Sequence, residues 1–219
     1  MNGCRGEPLR VLITGGGGGP GLACAEALAA SGAEIILTDC DGIALTRAAD
    51  RLGAFSRYCD AIGGSSVDVF AAELASLFPS IEILINAAGR GYVRTLAMSR
   101  MSQAILPLLR RATGCRLVVN ISSAGEHLPS DDIFPYASSL EAFDRLSQRL
   151  REQVRGMGIE VVNIAPKLVP GHSANALWSD RLYELQQIDV RDIAQRILDL
   201  VAAARPDWRQ RPPTIARRA

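Results

Sequence analysis

Residues Leu9 to Ala30 read LRVLITGGGGGPGLACAEALAA. The first six, Leu9 to Thr14, form an apolar, β-branched run of strand length. Five glycines (Gly15 to Gly19), Pro20 and Gly21 follow, and then a run of Leu, Ala and Glu that favours helix. A strand, a glycine turn and a helix N-terminus in that order make an anion site. Backbone N–H groups point outward, no Cβ blocks a pyrophosphate, and the helix dipole favours negative charge. The plain alternative is a tight turn or a linker. It leaves five successive glycines without a purpose while their conformational entropy cost remains.

Similar short runs recur at Glu34 to Thr38, Ile81 to Ile85, Arg116 to Ile121 and Ile159 to Ile164, with a weaker one at Ala54 to Cys59. Helix-length segments rich in Ala, Leu, Arg and Glu lie between them. Parallel strands need helix-sized crossovers, so this alternation predicts an α/β, doubly wound parallel sheet in one domain. From Pro135 to Arg155, Leu140, Phe143, Leu146, Leu150 and Val154 fall at steps of three and four and share a helical face. Gly156 and Gly158 are expected to stop that helix. The domain is read as residues 1–205, and the Pro/Arg-rich tail 206–219 as a loose extension or a short edge strand.

Of 219 residues, 24 are Lys or Arg and 23 Asp or Glu, a formal charge of +1, and 48% are apolar. This balance argues against a nucleic-acid-binding tail, which needs clustered positive charge, and against disorder. No apolar run approaches the roughly 20 residues that span a bilayer, and the first ten residues lack the apolar core of a secretory signal. Cytoplasmic residence is the default expectation. Five cysteines (Cys4, Cys24, Cys40, Cys59, Cys115) without a CxxC pair suggest neither a disulfide framework nor a zinc site, and are read as reduced, mostly buried side chains. His127 and His172 are distant in sequence and make no metal site. Among the basic residues 23 are Arg and one is Lys, Lys167.

Thr38-Asp39 ends the second strand, 18 positions after Gly21. A carboxylate there can accept hydrogen bonds from adenosine ribose hydroxyls and would repel a 2′-phosphate. The glycine loop offers no Arg or Lys to bind such a phosphate. The expected cofactor is therefore NAD(H) rather than NADP(H); a strand-end turn residue is the plain alternative for Asp39.

On these residues the chain resembles the short-chain dehydrogenase/reductase family, whose fold is of the Rossmann type. The TGxxxGxG signature matches Thr14, Gly15, Gly19 and Gly21, and the Asn-x-Ala-Gly signature matches Asn86, Ala87, Ala88 and Gly89. The strand ending Asn120-Ile121-Ser122-Ser123 matches the family's serine-bearing strand, with Tyr136 placed 13 residues after Ser123. The resemblance implies hydride transfer between a nicotinamide cofactor and an alcohol or ketone, with Tyr136 as general acid/base and Ser123 orienting the substrate oxygen. It implies an adenine contact for Asp60. It also implies homodimers or homotetramers paired through the helices at about 94–111 and 135–155.

Several positions depart from the family pattern. Tyrosine has an unperturbed pKa of about 10, and in the family a lysine four residues on favours the phenolate. Here that residue is Leu140. Arg94 falls where the family carries the asparagine of its proton relay, in a segment after Gly89 that is much shorter than usual. Pro166-Lys167 replaces a Pro-Gly turn, and the C-terminal strand with its glycine pair is missing. Lys167 is one candidate to return an ammonium to Tyr136; a solvated loop lysine is the alternative. Trp178 and Tyr183 fall in the segment that lids the substrate in the family, where pocket lining and ordinary packing are both open. Two functions remain open: an NAD(H)-dependent oxidoreductase with weakened or altered catalysis, and a catalytically impaired NAD(H)-binding regulatory or scaffold protein.

Overall fold

The structure is a computed structural model and describes residues 9–89, 91–122, 133–164 and 190–204. The expected runs are all strands: β1 (Arg10–Thr14), β2 (Glu34–Asp39), β3 (Phe55–Tyr58), β4 (Ile83–Asn86), β5 (Leu117–Ile121) and β6 (Glu160–Ile164). Six helices alternate with them: α1 (Gly19–Ala30), α2 (Gly42–Leu52), α3 (Gly64–Leu77), α4 (Gly91–Arg111), α5 (Ile133–Gln153) and α6 (Val190–Ala204). The strands pair in parallel in the order β3-β2-β1-β4-β5-β6. The order reverses at β1, whose two neighbours are β2 and β4, and the crevice beyond their C-terminal ends is where such sheets bind ligands.

The near-continuous apolar strands are buried on both faces, as parallel strands must be. On one face Val11, Ile13, Leu37, Ile83 and Val119 pack against α1, α2 and α6 through Ala25, Leu28, Leu45, Ile197 and Val201. On the other, Leu12, Ile36, Leu84 and Val118 meet Phe70 and Leu74 of α3, Met101 and Ile105 of α4, Leu150 of α5 and Val154 just after it. Cys24 of α1 belongs to the first core, and burial pushes its thiol up to about 12. Cys59 and Cys115 are buried too, but Cys40 is exposed.

Helix ends follow local chemistry. Asp41 caps α2, its carboxylate accepting from the N–H groups of Ile43 and Ala44 at 3.0 Å. Gly156 and Gly158, with φ of 80° and 68°, turn the chain after α5 as expected. One expectation for α5 needs adjustment. Phe143, Leu150 and Val154 are buried, but Leu140 and Leu146 are only half-buried, and the positions completing the inward face are the buried serines Ser139 and Ser147. Among the described residues no helix is long and apolar enough to cross a membrane.

Candidate functional site

The glycine turn is shaped by close approaches. At Gly15 (φ 68°) an added Cβ would lie 2.9 Å from the Ala88 nitrogen, and at Gly21 one would lie 2.2 Å from the Gly15 carbonyl oxygen. The start of α1 therefore packs directly on the end of β1, which only glycine allows. Gly18 and Gly19 differ: both are exposed, and nothing lies within 4 Å of where their Cβ atoms would be. Gly18 is the N-cap of α1, with extended backbone and no side-chain cap. Pro20 has no N–H, so the donors left at the start of α1 are those of Gly19 and Gly21, beside the uncovered Gly18 and Gly19, a cradle for an anion.

The turn is held from both sides. Thr14 Oγ1 accepts from the N–H groups of Ala87 (3.1 Å) and Ala88 (3.2 Å), tying β1 to the segment after β4. The Gly16 N–H donates to the Thr38 carbonyl at 3.1 Å. Asp39, the last residue of β2, accepts from the Gly17 N–H through Oδ2 and from the Asp41 N–H through Oδ1, both at 3.0 Å. Each carboxylate oxygen keeps acceptor capacity beyond that one bond. Asp60 begins the turn between β3 and α3, its Oδ1 accepting from the Ile62 N–H at 3.0 Å and its own N–H donating to Ser66 Oγ at 3.0 Å. It stands one strand over from Asp39, whose register partner is Tyr58.

A polar row closes the floor of the crevice. Thr38, Thr14, Asn86, Asn120 and Asn163 are successive register partners across β2, β1, β4, β5 and β6. Asn86 Nδ2 donates to Asn120 Oδ1 (2.9 Å) and Ser102 Oγ (3.0 Å); Asn120 Nδ2 donates to Asn163 Oδ1 and Ser147 Oγ, each at 3.2 Å. Asn86 Oδ1 and Thr38 Oγ1 are buried without a partner among the described residues. Asn120, Ser102 and Ser147 were missed as site-building residues by sequence reasoning. Asn120 carries a signal, a polar residue closing an apolar strand, but the two serines carry none.

The shortened segment after β4 has a physical form. α4 starts almost at once, at Gly91, and leaves no room for a side chain at Gly89 (φ 83°), where an added Cβ would lie 2.9 Å from the Arg94 nitrogen. Arg94 sits in the opening turn of α4, half-buried with its Nε enclosed, and Thr95 Oγ1 donates to the Ser139 carbonyl of α5 at 3.4 Å. This brings the first turns of α4 beside the α5 segment that holds Tyr136 and Leu140. Ser122 directly follows β5, its N–H donating to the Ile164 carbonyl at 2.9 Å. Tyr136 lies in the first turn of α5. Ser123, Lys167, His127, His172, Trp178, Tyr183 and the tail 206–219 lie outside the described residues.

The family model described as short chain dehydrogenase matches residues 10–99 and 92–182. Galactitol 2-dehydrogenase (L-tagatose-forming) of Cereibacter sphaeroides is 30% identical over 178 residues, 72% of this chain and 70% of the relative. Among solved structures, the Pseudomonas aeruginosa RhlG/NADP active-site complex aligns at 27% identity and TM-score 0.65, over 78% of this chain and 77% of that one. A short chain dehydrogenase/reductase from Burkholderia phymatum in complex with NAD shares the fold at 22% identity and TM-score 0.70, over 97% and 99%.

Two substitutions separate the close approach from the open cradle. Gly21→Ala should cost about 3 kcal/mol or more, because backbone must move to admit the Cβ. Gly18→Ala, in extended backbone with free space, should cost about 1 kcal/mol or less. Urea unfolding of both variants checks this; equal losses would contradict the geometry.

Proposed function

The chain belongs to the short-chain dehydrogenase family of oxidoreductases, and from that premise we propose that it binds NAD(H) at the glycine turn and transfers a hydride between this cofactor and a small alcohol or the corresponding ketone. The cradle at Gly18 and Gly19 is the observation that carries the reading: a dinucleotide pyrophosphate fits where Cβ atoms are missing, at the N-terminus of α1. Gly15, Gly19 and Gly21 shape that turn, and Asp39 would accept from the adenosine ribose hydroxyls with Asp60 at the adenine. Asn86 and Gly89 would line the side toward β5. When bound, the nicotinamide supplies the hydride acceptor or donor. The polyol relative supports a small alcohol substrate.

The choice of NAD(H) over NADP(H) rests on charge. Neighbours with either cofactor share the fold, so the deciding group is the Asp39 carboxylate, which repels a 2′-phosphate. No basic residue lies between Gly15 and Gly21 to offset it. Calorimetric titration should show NADH binding about tenfold or more tighter than NADPH, the equivalent of roughly 1.4 kcal/mol. Equal affinities would remove the role of Asp39, and binding of neither would remove the cofactor reading.

For the chemical step, Tyr136 gives and takes the proton at the substrate oxygen and Ser123 holds that oxygen by a hydrogen bond. Leu140 supplies no charge, and each pKa unit by which a phenol is left undepressed costs about 1.4 kcal/mol of phenolate. Lys167, three residues past the end of β6, is the ammonium within the family-like loop that can offset this. Catalysis is accordingly weak. Leu140 equally favours a second reading, an NAD(H)-binding regulatory or scaffold protein. Leu140→Lys should raise NADH production from a panel of polyols and secondary alcohols about tenfold or more, and Lys167→Ala should lower it. An unchanged rate across the panel with Leu140→Lys would select the regulatory reading; an unchanged rate with Lys167→Ala would remove Lys167 from the mechanism.

Two copies are proposed to pair through α4 and α5. A cleft of about 560 Å³ between these helices, lined by Met98, Ser99, Leu146, Arg149 and Gln153 among others, supports this. Light scattering at micromolar concentration should give the mass of a dimer or tetramer, and a monomer would remove the proposal.

A further inference from the structure

The ends of β2 and β3 bring two thiols to consecutive places. Asp39 and Tyr58 are register partners, and the Cys59 N–H donates to the Asp39 carbonyl at 3.2 Å. That bond completes the last register pair, and Cys40 and Cys59 are the residues that directly follow it, Cys40 at the bend that leaves β2. Neighbouring strands lie about 4.8 Å apart, inside the roughly 4.4–6.8 Å between Cα atoms that a disulfide spans. Alternation continued from β2 directs Cys40 to the side of the sheet on which Cys59 lies. Ile36 and Cys59 pack in the core beneath α3, Arg57 pairs with Glu73 of α3, and Cys40 is an even step from Ile36. Both thiols are free; Cys40 is exposed and Cys59 buried. Partial burial first, then the carboxylates of Asp39 and Asp60, push the Cys40 thiol up, so the residue after Cys59 is near enough to be felt at Cys40. Burial likewise raises Cys59, against a lowering bond from Ser66. The resting form is the dithiol.

We propose that Cys40 and Cys59 are an oxidisable pair, a modification site that closes to a disulfide under peroxide and thereby loosens the adenosine end of the dinucleotide site. The effect on adenosine rests on the reading of Asp39 and Asp60 above; the pairing of the thiols does not. The Cys40 sulfur, as thiolate, attacks one peroxide oxygen; the O–O bond breaks, one water leaves, and a sulfenic acid remains. The Cys59 thiolate then attacks that sulfur, forming the S–S bond while the S–O bond breaks and a second water leaves. Two electrons pass from sulfur to peroxide, and the two thiol protons end in water. Closure draws Cys59 Sγ away from Ser66 Oγ, now 3.6 Å from it, and the same hydroxyl accepts the Asp60 N–H. The strain falls on the turn that presents Asp60.

Treating the full chain with hydrogen peroxide should remove the mass of two hydrogens and yield a peptide joining Cys40 to Cys59, reversed by dithiothreitol. Cys40→Ser and Cys59→Ser should each abolish the link and Cys4→Ser should keep it. NADH should bind the oxidised chain about tenfold more weakly, and peroxide should leave NADH affinity unchanged in Cys59→Ser. Cys40 carried to sulfinic or sulfonic acid while Cys59 still alkylates after unfolding would overturn the pair. A formed link with unchanged NADH affinity would overturn the coupling. If NADH binds neither form, the cofactor reading and the coupling fail together, and the mass measurement still decides the pair.

Discussion

The contact between Gly21 and Gly15 sets the geometry of the whole crevice. Helix α1 begins against the carbonyl that ends β1, at a distance where any side chain would collide. That approach aims the first N–H groups of α1 over the C-terminal edge of the sheet, where the strand order reverses. It works only because the neighbouring segments are pinned as well. Thr14 Oγ1 gathers the N–H groups of Ala87 and Ala88, and Asp39 gathers those of Gly17 and Asp41. Asp39 thus shapes the loop, and in the proposed reading it also faces the ribose, so a substitution made there to change cofactor preference would also disturb the turn.

The polar row beneath the crevice answers a different demand. Where apolar strands end, their last residues must remain packed yet meet a polar ligand. Asparagines meet this by hydrogen bonding sideways, strand to strand, and outward to Ser102 and Ser147. Buried amides are costly unless satisfied, so the row locks the relative heights of β4, β5 and β6. The positions of Ser122 and of the α5 segment facing them are set in turn.

The side of the crevice near β5 and α5 sets an apolar residue of α5 near a basic residue of α4. Leu140 places an apolar side chain one turn after Tyr136, and the early start of α4 puts Arg94 beside that region. The glycine turn and the strand ends around it lie among the described residues, so the proposed dinucleotide site rests on their geometry and the proposed chemistry on residue identity.

The order of strands and helices was legible in the sequence because it is local: β-branched runs, Ala/Leu-rich segments, and glycines where positive φ or close approach is required. Gly21 and Gly89 belong to that class, since each meets backbone five or six residues away, and Gly15 and Asp39 were legible from their places at strand ends, although the contacts they make there, to Ala88 and Gly17, are tertiary. The tertiary structure alone decided what depends on register. Asn86, Asn120 and Asn163 lie far apart in the chain and meet only because β4, β5 and β6 pair at one height. Ser139 and Ser147 face inward on a helix whose leucines pointed to a different stripe. Cys40 and Cys59 look unrelated until β2 and β3 align. Hydrophobic periodicity specifies which face of an element is buried, but the partner across a sheet is chosen by the packing of the whole chain.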